Sequence, residues 1–156
     1  MKKGTVKWAD KADSGGIPLG SAHALVEVLP AANATVGCLI NVHPLTGFTQ
    51  QTHDVSIIRI CPNAPYEREI VNTVTKLPFT PYFHSWGLSP NFAVLPIMKF
   101  TLDLLTVMEG KTLSQAFKPE DVANPDTTIY VVSTKTHGSI VECTLKNKHL
   151  YYTHGA

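Results

Sequence analysis

Apolar and polar positions alternate, or gather into short β-branched runs, along most of the chain. Thr5 to Ala9 alternates. Ala22 to Leu29 is apolar and bounded by Pro30, and Thr35 to Val42 follows, bounded by His43-Pro44. Val55 to Ile60 is rich in β-branched residues and ends before Pro62, and Glu69 to Val74 is a further run of this kind. Phe92 to Leu95, Thr128 to Ser133, Ser139 to Leu145 and Leu150 to Thr153 complete the set. Turn residues punctuate these runs every 8–15 residues or so, a spacing that predicts antiparallel all-β structure. One segment departs from this pattern. Apolar residues at 100, 104, 105, 107 and 108 predict a short helix over Phe100–Glu109, closed by Gly110. Lys111 to Asp126 is polar, carries Pro119 and Pro125, and predicts a long loop. No internal repeat is visible, so repeated units, if built, have diverged in sequence. No internal domain boundary stands out.

The length of 156 residues fits one domain with a sizeable core. A formal net charge of +1 excludes the basic footprint of a nucleic-acid binder. Lys2-Lys3 and Lys146-Asn147-Lys148 are too short to act as basic arms. Cys38, Cys61 and Cys143 are widely spaced and form no CxxC pair. Buried free thiols in a reducing, cytoplasmic compartment are therefore expected, rather than cysteine ligation of a metal. Met1-Lys2-Lys3 is not followed by an apolar run, so no signal peptide is expected. No window approaches the roughly 20 apolar residues of a membrane span, which predicts a chain that is soluble or peripheral.

Candidate chemistry lies in the histidines, of which there are seven. His84 sits among aromatics in Pro81-Tyr82-Phe83-His84-Ser85-Trp86-Gly87-Leu88-Ser89-Pro90-Asn91-Phe92. A buried polar ring left unpaired costs about 1–3 kcal/mol, so His84 needs a partner. His23 heads an apolar run in Gly20-Ser21-Ala22-His23, and His154 follows one in Leu150-Tyr151-Tyr152-Thr153-His154. His43, His53 and His137 lie beside turn residues and are expected at the surface, while His149 is ambiguous. No HxH, HExxH or other short-spaced pair is present. Pattern alone leaves both a metal ligand and a hydrogen-bonded core histidine open for each of the three.

The segment from Pro81 to Phe92 resembles the Tyr-x-His-Ser-Phe-Gly-Leu-Thr-x-Asn-Tyr motif of the carotenoid cleavage oxygenases. That family includes the animal β-carotene oxygenases and the retinal pigment epithelium isomerohydrolase. Gly20-Ser21-Ala22-His23 is similar to the family's earlier Thr-Ala-His segment. Thr153-His154-Gly155-Ala156 is similar to the start of its Phe-His-x-x-Asn-Ala segment. Order agrees, and so do the separations of 61 and 70 positions between the three histidines. The resemblance spans Trp8 to Ala156. It implies an all-β fold, part of a seven-bladed β-propeller with a short helical insertion, with residues 1–156 a partial propeller domain incomplete at both ends.

The resemblance further implies an Fe(II) cofactor held by histidines on the propeller axis, with His23, His84 and His154 as three of four ligands. The implied reaction is O2-dependent cleavage of a carotenoid or apocarotenoid C=C bond to two carbonyl products, retinal-like aldehydes among them. Tyr82 matches an aromatic position beside the substrate tunnel, where it would shape the tunnel or steady positive charge on a polyene; a packed core tyrosine is the alternative. Phe100–Met108 falls where the family meets the membrane, which implies a peripheral membrane contact; a helix packed on the protein's own core is the alternative. Retinyl ester isomerisation, a non-catalytic carotenoid or lipid binder, and a propeller scaffold with packed histidines are the other readings.

The chain also departs from the family pattern. Ala24-Leu25 stands where Pro-His is usual, Trp86 where Phe is usual, and Ser89-Pro90 where Thr-x is common. The fourth histidine and the glutamates that orient the ligands have no counterpart, and Glu27 matches none of those positions. Part of a propeller leaves strand edges open, so the isolated chain is expected to be inactive.

Overall fold

The structure is a computed structural model that describes residues 7–8, 17–18, 21, 23–31, 34–46, 53–119, 126–148 and 150. Two short strands, β1 (Lys7–Trp8) and β2 (Ile17–Pro18), precede the main strands. β3 (Leu25–Ala31), β4 (Ala34–Thr46), β5 (His53–Ile60) and β6 (Glu67–Leu77) form a first sheet in which each strand pairs antiparallel with the next. β1 joins this sheet parallel to β6, and β2 joins it antiparallel to β4. A second antiparallel sheet follows, from β7 (Gly87–Leu88), β8 (Phe92–Pro96), β11 (Thr127–Ser133) and β12 (Ile140–Leu145). Between β8 and β11 the chain makes an excursion through β9 (Phe100–Leu102), α1 (Leu104–Met108), α2 (Leu113–Ala116) and β10 (Phe117–Pro119). The architecture is all-β with a short helical insertion.

β-branched residues explain the strongest strands. Val55, Ile57, Ile58 and Ile60 stiffen β5 toward extended backbone and fill its neighbours' pleats. Ile40, Val42, Val55 and Ile57 of the first sheet meet Ala93, Leu95 and Val132 of the second, with Phe83 and Trp86 in the same cluster. Each fully buried large side chain there, Ile57 or Leu95 for example, contributes about 1.5–3 kcal/mol. The motif segment is thus part of the core between the sheets.

Polar groups tie the sheets as well. Glu27 of β3 is buried, and its Oε2 accepts from Arg59 Nε at 2.7 Å while its Oε1 accepts from Lys135 Nζ at 2.7 Å. Arg59 also donates to Glu69 Oε1 at 3.0 Å and to the Thr134 carbonyl at 3.1 Å. Asn72, fully buried on β6, donates to the Ser133 and Thr136 carbonyls and accepts from the Gly138 N–H. Gly138 has φ of +77°, a left-handed conformation that glycine adopts without penalty. The β11–β12 turn is therefore locked to the first sheet by side chains of β3, β5 and β6.

Several expectations need correction. β3 runs to Ala31 and passes through Pro30 instead of ending before it; Pro30 pairs with Thr35 beside the hairpin end, on a strand whose main-strand partner is β4, and an outer strand tolerates a missing N–H. β4 continues through His43-Pro44 to Thr46; Pro44 lies past the last β3 pair, Leu25 with Ile40. His43 is consequently a half-buried strand residue, not a surface turn, and burial followed by the Arg68 charge lowers its pKa. His53 likewise begins β5, with Nδ1 2.7 Å from Thr80 Oγ1, whereas His137 is an exposed turn residue as expected.

The helix expected over Phe100–Glu109 is only Leu104–Met108. Asp103 caps it, accepting from the N–H groups of Leu105 and Thr106, and Gly110 closes it at φ of +77°. Phe100–Leu102 instead pair with Phe117–Pro119, inside the region expected to be loop. Cys38 and Cys61 are not free thiols: Cys38 on β4 forms a disulfide with Cys61, one residue past the end of β5, while Cys143 is exposed and free rather than buried. The expected strand from Leu150 to Thr153 falls almost wholly outside the described residues.

Candidate metal centre

His23 and His84 occupy corresponding places. His23 lies two residues before β3, the outermost of the four main strands in the first sheet, and His84 lies three residues before β7, which ends the second. Backbone and side-chain bonds fix each segment. Ser21 donates its N–H to the Val42 carbonyl at 2.9 Å, and Asn41 Nδ2 donates to the Ser21 carbonyl at 3.2 Å, which holds Ser21 against β4. On the other side, the Tyr82 N–H donates to the Phe100 carbonyl at 3.0 Å, and Phe83, Ser85 and Trp86 are buried.

The two segments clamp each other reciprocally. Ser21 Oγ donates to the carbonyl of His84 at 3.0 Å, and Trp86 Nε1 donates to the carbonyl of His23 at 3.0 Å. Each histidine's carbonyl is thereby held by a side chain two positions from the other histidine. Trp86 supplies this N–H from its indole ring, and a Phe at the same position would lack it.

Between these clamps the rings converge. His23 Nε2 and His84 Nε2 are 3.1 Å apart, with ring centroids 4.8 Å apart and planes inclined by 69°. Two imidazole nitrogens bound to one cation at about 2.1 Å and near a right angle lie roughly 3 Å apart. The observed separation fits a shared cation, and it equally fits a hydrogen bond between the two rings. His84 Nδ1 lies 3.1 Å from Tyr82 Oη. A row of rings then continues: Tyr82 meets Phe117 edge-on at 5.0 Å, and Phe117 stacks on Phe100 at 5.0 Å. Next to Trp86, a cleft of about 500 Å³ opens between β3 and β7, lined by Leu25, Val28, Leu88 and Pro90 among others.

Of the residues expected at a metal site, the structure brings His23, His84 and Tyr82 together; His154 lies outside the described residues. Among the described residues there is no group of three or more His, Cys, Asp or Glu side chains placed to hold a metal. The clamp residues Ser21 and Trp86 were not expected to position histidines, although both lie inside the motif segments. The signal available was a hydroxyl and an indole N–H, each two positions from a histidine.

The class of protein defined so far is an all-β chain with a histidine pair set between the heads of two antiparallel sheets. No family model matches the chain, and no curated protein matches it. No helix among the described residues is long and apolar enough to cross a membrane.

Proposed function

We propose that the chain belongs to a seven-bladed propeller protein that binds Fe(II) through His23 and His84, with His154 as a further ligand, and cleaves a carotenoid or apocarotenoid C=C bond with O2. The observation that carries this reading is the 3.1 Å approach of two Nε2 atoms from histidines 61 positions apart, each in a motif segment resembling those of the carotenoid oxygenases. Bound Fe(II) would supply the O2-binding centre for converting one double bond into two carbonyl groups. The chain's own part is to present neutral imidazoles at fixed positions, to offer an apolar approach, and to keep water out. Phe83 and Trp86, buried behind the histidines, serve the last purpose. The rings of Tyr82, Phe117 and Phe100 offer an apolar route, and lead toward the segment that carries α1.

Repetition of the sheet plan supports the propeller. The four main strands of the first sheet and the four strands of the second each pair antiparallel, and a histidine lies just before β3 and just before β7, as expected of blades that each send a residue to an axis. Exposure of Leu105 and Met108 on α1 supports a peripheral membrane contact through Phe100–Met108, from which an insoluble polyene would be taken up. Metal content decides the matter. The wild-type chain refolded with Fe(II) under anaerobic conditions should retain iron through gel filtration, and His84→Ala should not. Equal iron in both would overturn the ligand assignment.

A further inference from the structure

We infer that the open edge of β12 is a self-pairing surface: two copies of the chain join there, antiparallel, so that their second sheets become one continuous sheet. The inference stands on the strand edge and is independent of the metal reading.

β12 ends the second sheet, and among the described residues it pairs with β11 alone. The hairpin sets the direction of its backbone groups. Ser133 donates its N–H to the Ser139 carbonyl at 2.9 Å, so the hydrogen-bonded pairs along the ladder are Val131–Val141, Ile129–Cys143 and Thr127–Leu145. The alternate residues of β11 turn to its other side, where the Thr128 carbonyl accepts from the Ile97 N–H at 2.9 Å. By the same alternation Ile140, Glu142 and Thr144 turn their N–H and C=O groups to the open side of β12. Such an edge is a template for another strand unless something blunts it. β12 contains no Pro and no Lys, and its ladder with β11 runs from Ile140 to Leu145 without a bulge. β3, by contrast, carries Pro30.

The single charge on β12, Glu142, selects the register. A two-fold axis centred on Glu142 would set two carboxylates directly opposite each other, which is destabilising. An axis on Val141 or on Thr144 would pair only residues 140–142 or 143–145 of each copy. An axis on Cys143 pairs residues 141–145 of each copy and keeps the carboxylates from direct opposition. Glu142 then lies opposite Thr144 of the second copy, and Val141 opposite its Leu145. Val141 and Leu145 are 57% and 39% exposed, on the face opposite to that of Ile140, which packs against the core. The two-fold repeats both pairs, so four exposed apolar side chains cover one another. This self-complementarity identifies the occupant as a second copy of the chain. β7, next to His84, lies at the other end of the sheet, so the pairing leaves the histidine pair accessible.

Sedimentation velocity of the full chain over a concentration series should show a monomer–dimer equilibrium. Thr144→Pro removes an outward N–H and spares the bonds to β11, and Val141→Lys places a cation at an exposed position. Each should return the chain to monomer across the same series. Oxidised glutathione then measures the register. Two Cys143 thiols give up two electrons and two protons to form a disulfide, and the oxidant leaves as two molecules of reduced glutathione. Directly opposed Cys143 residues would have Cα atoms about 4.5 Å apart, within bridging range. Non-reducing electrophoresis should therefore show a band at twice the mass of the chain. In Val141→Cys combined with Cys143→Ser, the position-141 thiols of the two copies would be about 14 Å apart, and no such band should form. A wild type that stays monomeric, a dimer that survives both Thr144→Pro and Val141→Lys, or equal bridging from positions 141 and 143 would overturn the inference.

Discussion

Replacing Glu27 by Gln tests whether the buried charge cluster holds the sheets in register. Glu27 is 3% exposed, and both of its oxygens accept short hydrogen bonds from cations, Arg59 on β5 and Lys135 after β11. Gln keeps the shape but turns one acceptor into an amide that donates, so one cation meets a donor and Arg59 loses its buried counter-charge. Breaking a buried ion pair from one side costs about 3–5 kcal/mol. The Lys135 side chain is 40% exposed and can turn to water, which places the expected loss near the lower end, about 3 kcal/mol. For a chain of this size that corresponds to roughly 6–12 °C in Tm. The pH dependence gives a second handle. Burial opposes ionisation of Glu27, but the hydrogen bonds and charges of Arg59 and Lys135 outweigh it and hold the carboxyl below its ordinary 4.5. A lowered folded pKa stabilises above the unfolded value, and that contribution is lost as pH falls through the folded one. The gap between wild type and Glu27→Gln should therefore be widest near neutrality and narrow in acid. Urea unfolding followed by tryptophan fluorescence reads it, since Trp86 lies in the core between the sheets. A gap below about 1 kcal/mol near pH 7, or one unchanged at about pH 3, would refute the reasoning.

Two further outcomes are expected. Reducing the Cys38–Cys61 bond, which spans a sequence separation of 23, should lower stability by about 3 kcal/mol through the freed chain entropy of the unfolded state; melting with and without reductant measures this, and a Cys38→Ser variant insensitive to reductant serves as the control. Leu105→Asp combined with Met108→Asp changes two side chains that are 60% and 69% exposed, so it should leave the melting temperature nearly unchanged while reducing co-sedimentation with phospholipid vesicles. Equal sedimentation of variant and wild type would remove the membrane contact from the proposal.

The sequence made some parts of this fold legible and hid others for identifiable reasons. β5, β6 and β11 could be read because their β-branched runs are intrinsic to each segment, and β8 because its short apolar run is bounded by turn residues. The ends of β3 and β4 could not, because proline stops a strand only where its N–H is needed, and that depends on which neighbour is present. Apolar spacing across Phe100–Glu109 suggested one helix, but the carboxylate of Asp103 captures two N–H groups and starts the helix later, freeing Phe100 to pair with Pro119. The disulfide was hidden because the pairing of Cys38 with Cys61 follows from the register of two strands, not from spacing. Glu27 was conspicuous beside His23 yet had no assigned role; its partners are 32 and 108 positions away.

The same reasoning separates what a motif conveys from what a fold adds. The segments around His23 and His84 each named a histidine, and neither could say which nitrogen was presented or what held the ring. The fold adds both: the Nε2 atoms of the two histidines face each other, and crossed partners hold their backbones, Ser21 at His84 and Trp86 at His23. A clamp of this kind constrains both segments at once, because moving either histidine breaks a bond on the other. Substitutions at position 86 should therefore be felt first at His23, although the two lie 63 positions apart in sequence. These cross-links hold the two histidine segments to each other in addition to the core that the two sheets share. The residues that most deserve attention in any chain carrying these motifs are accordingly the small hydroxyl two positions before the first histidine and the aromatic two positions after the second.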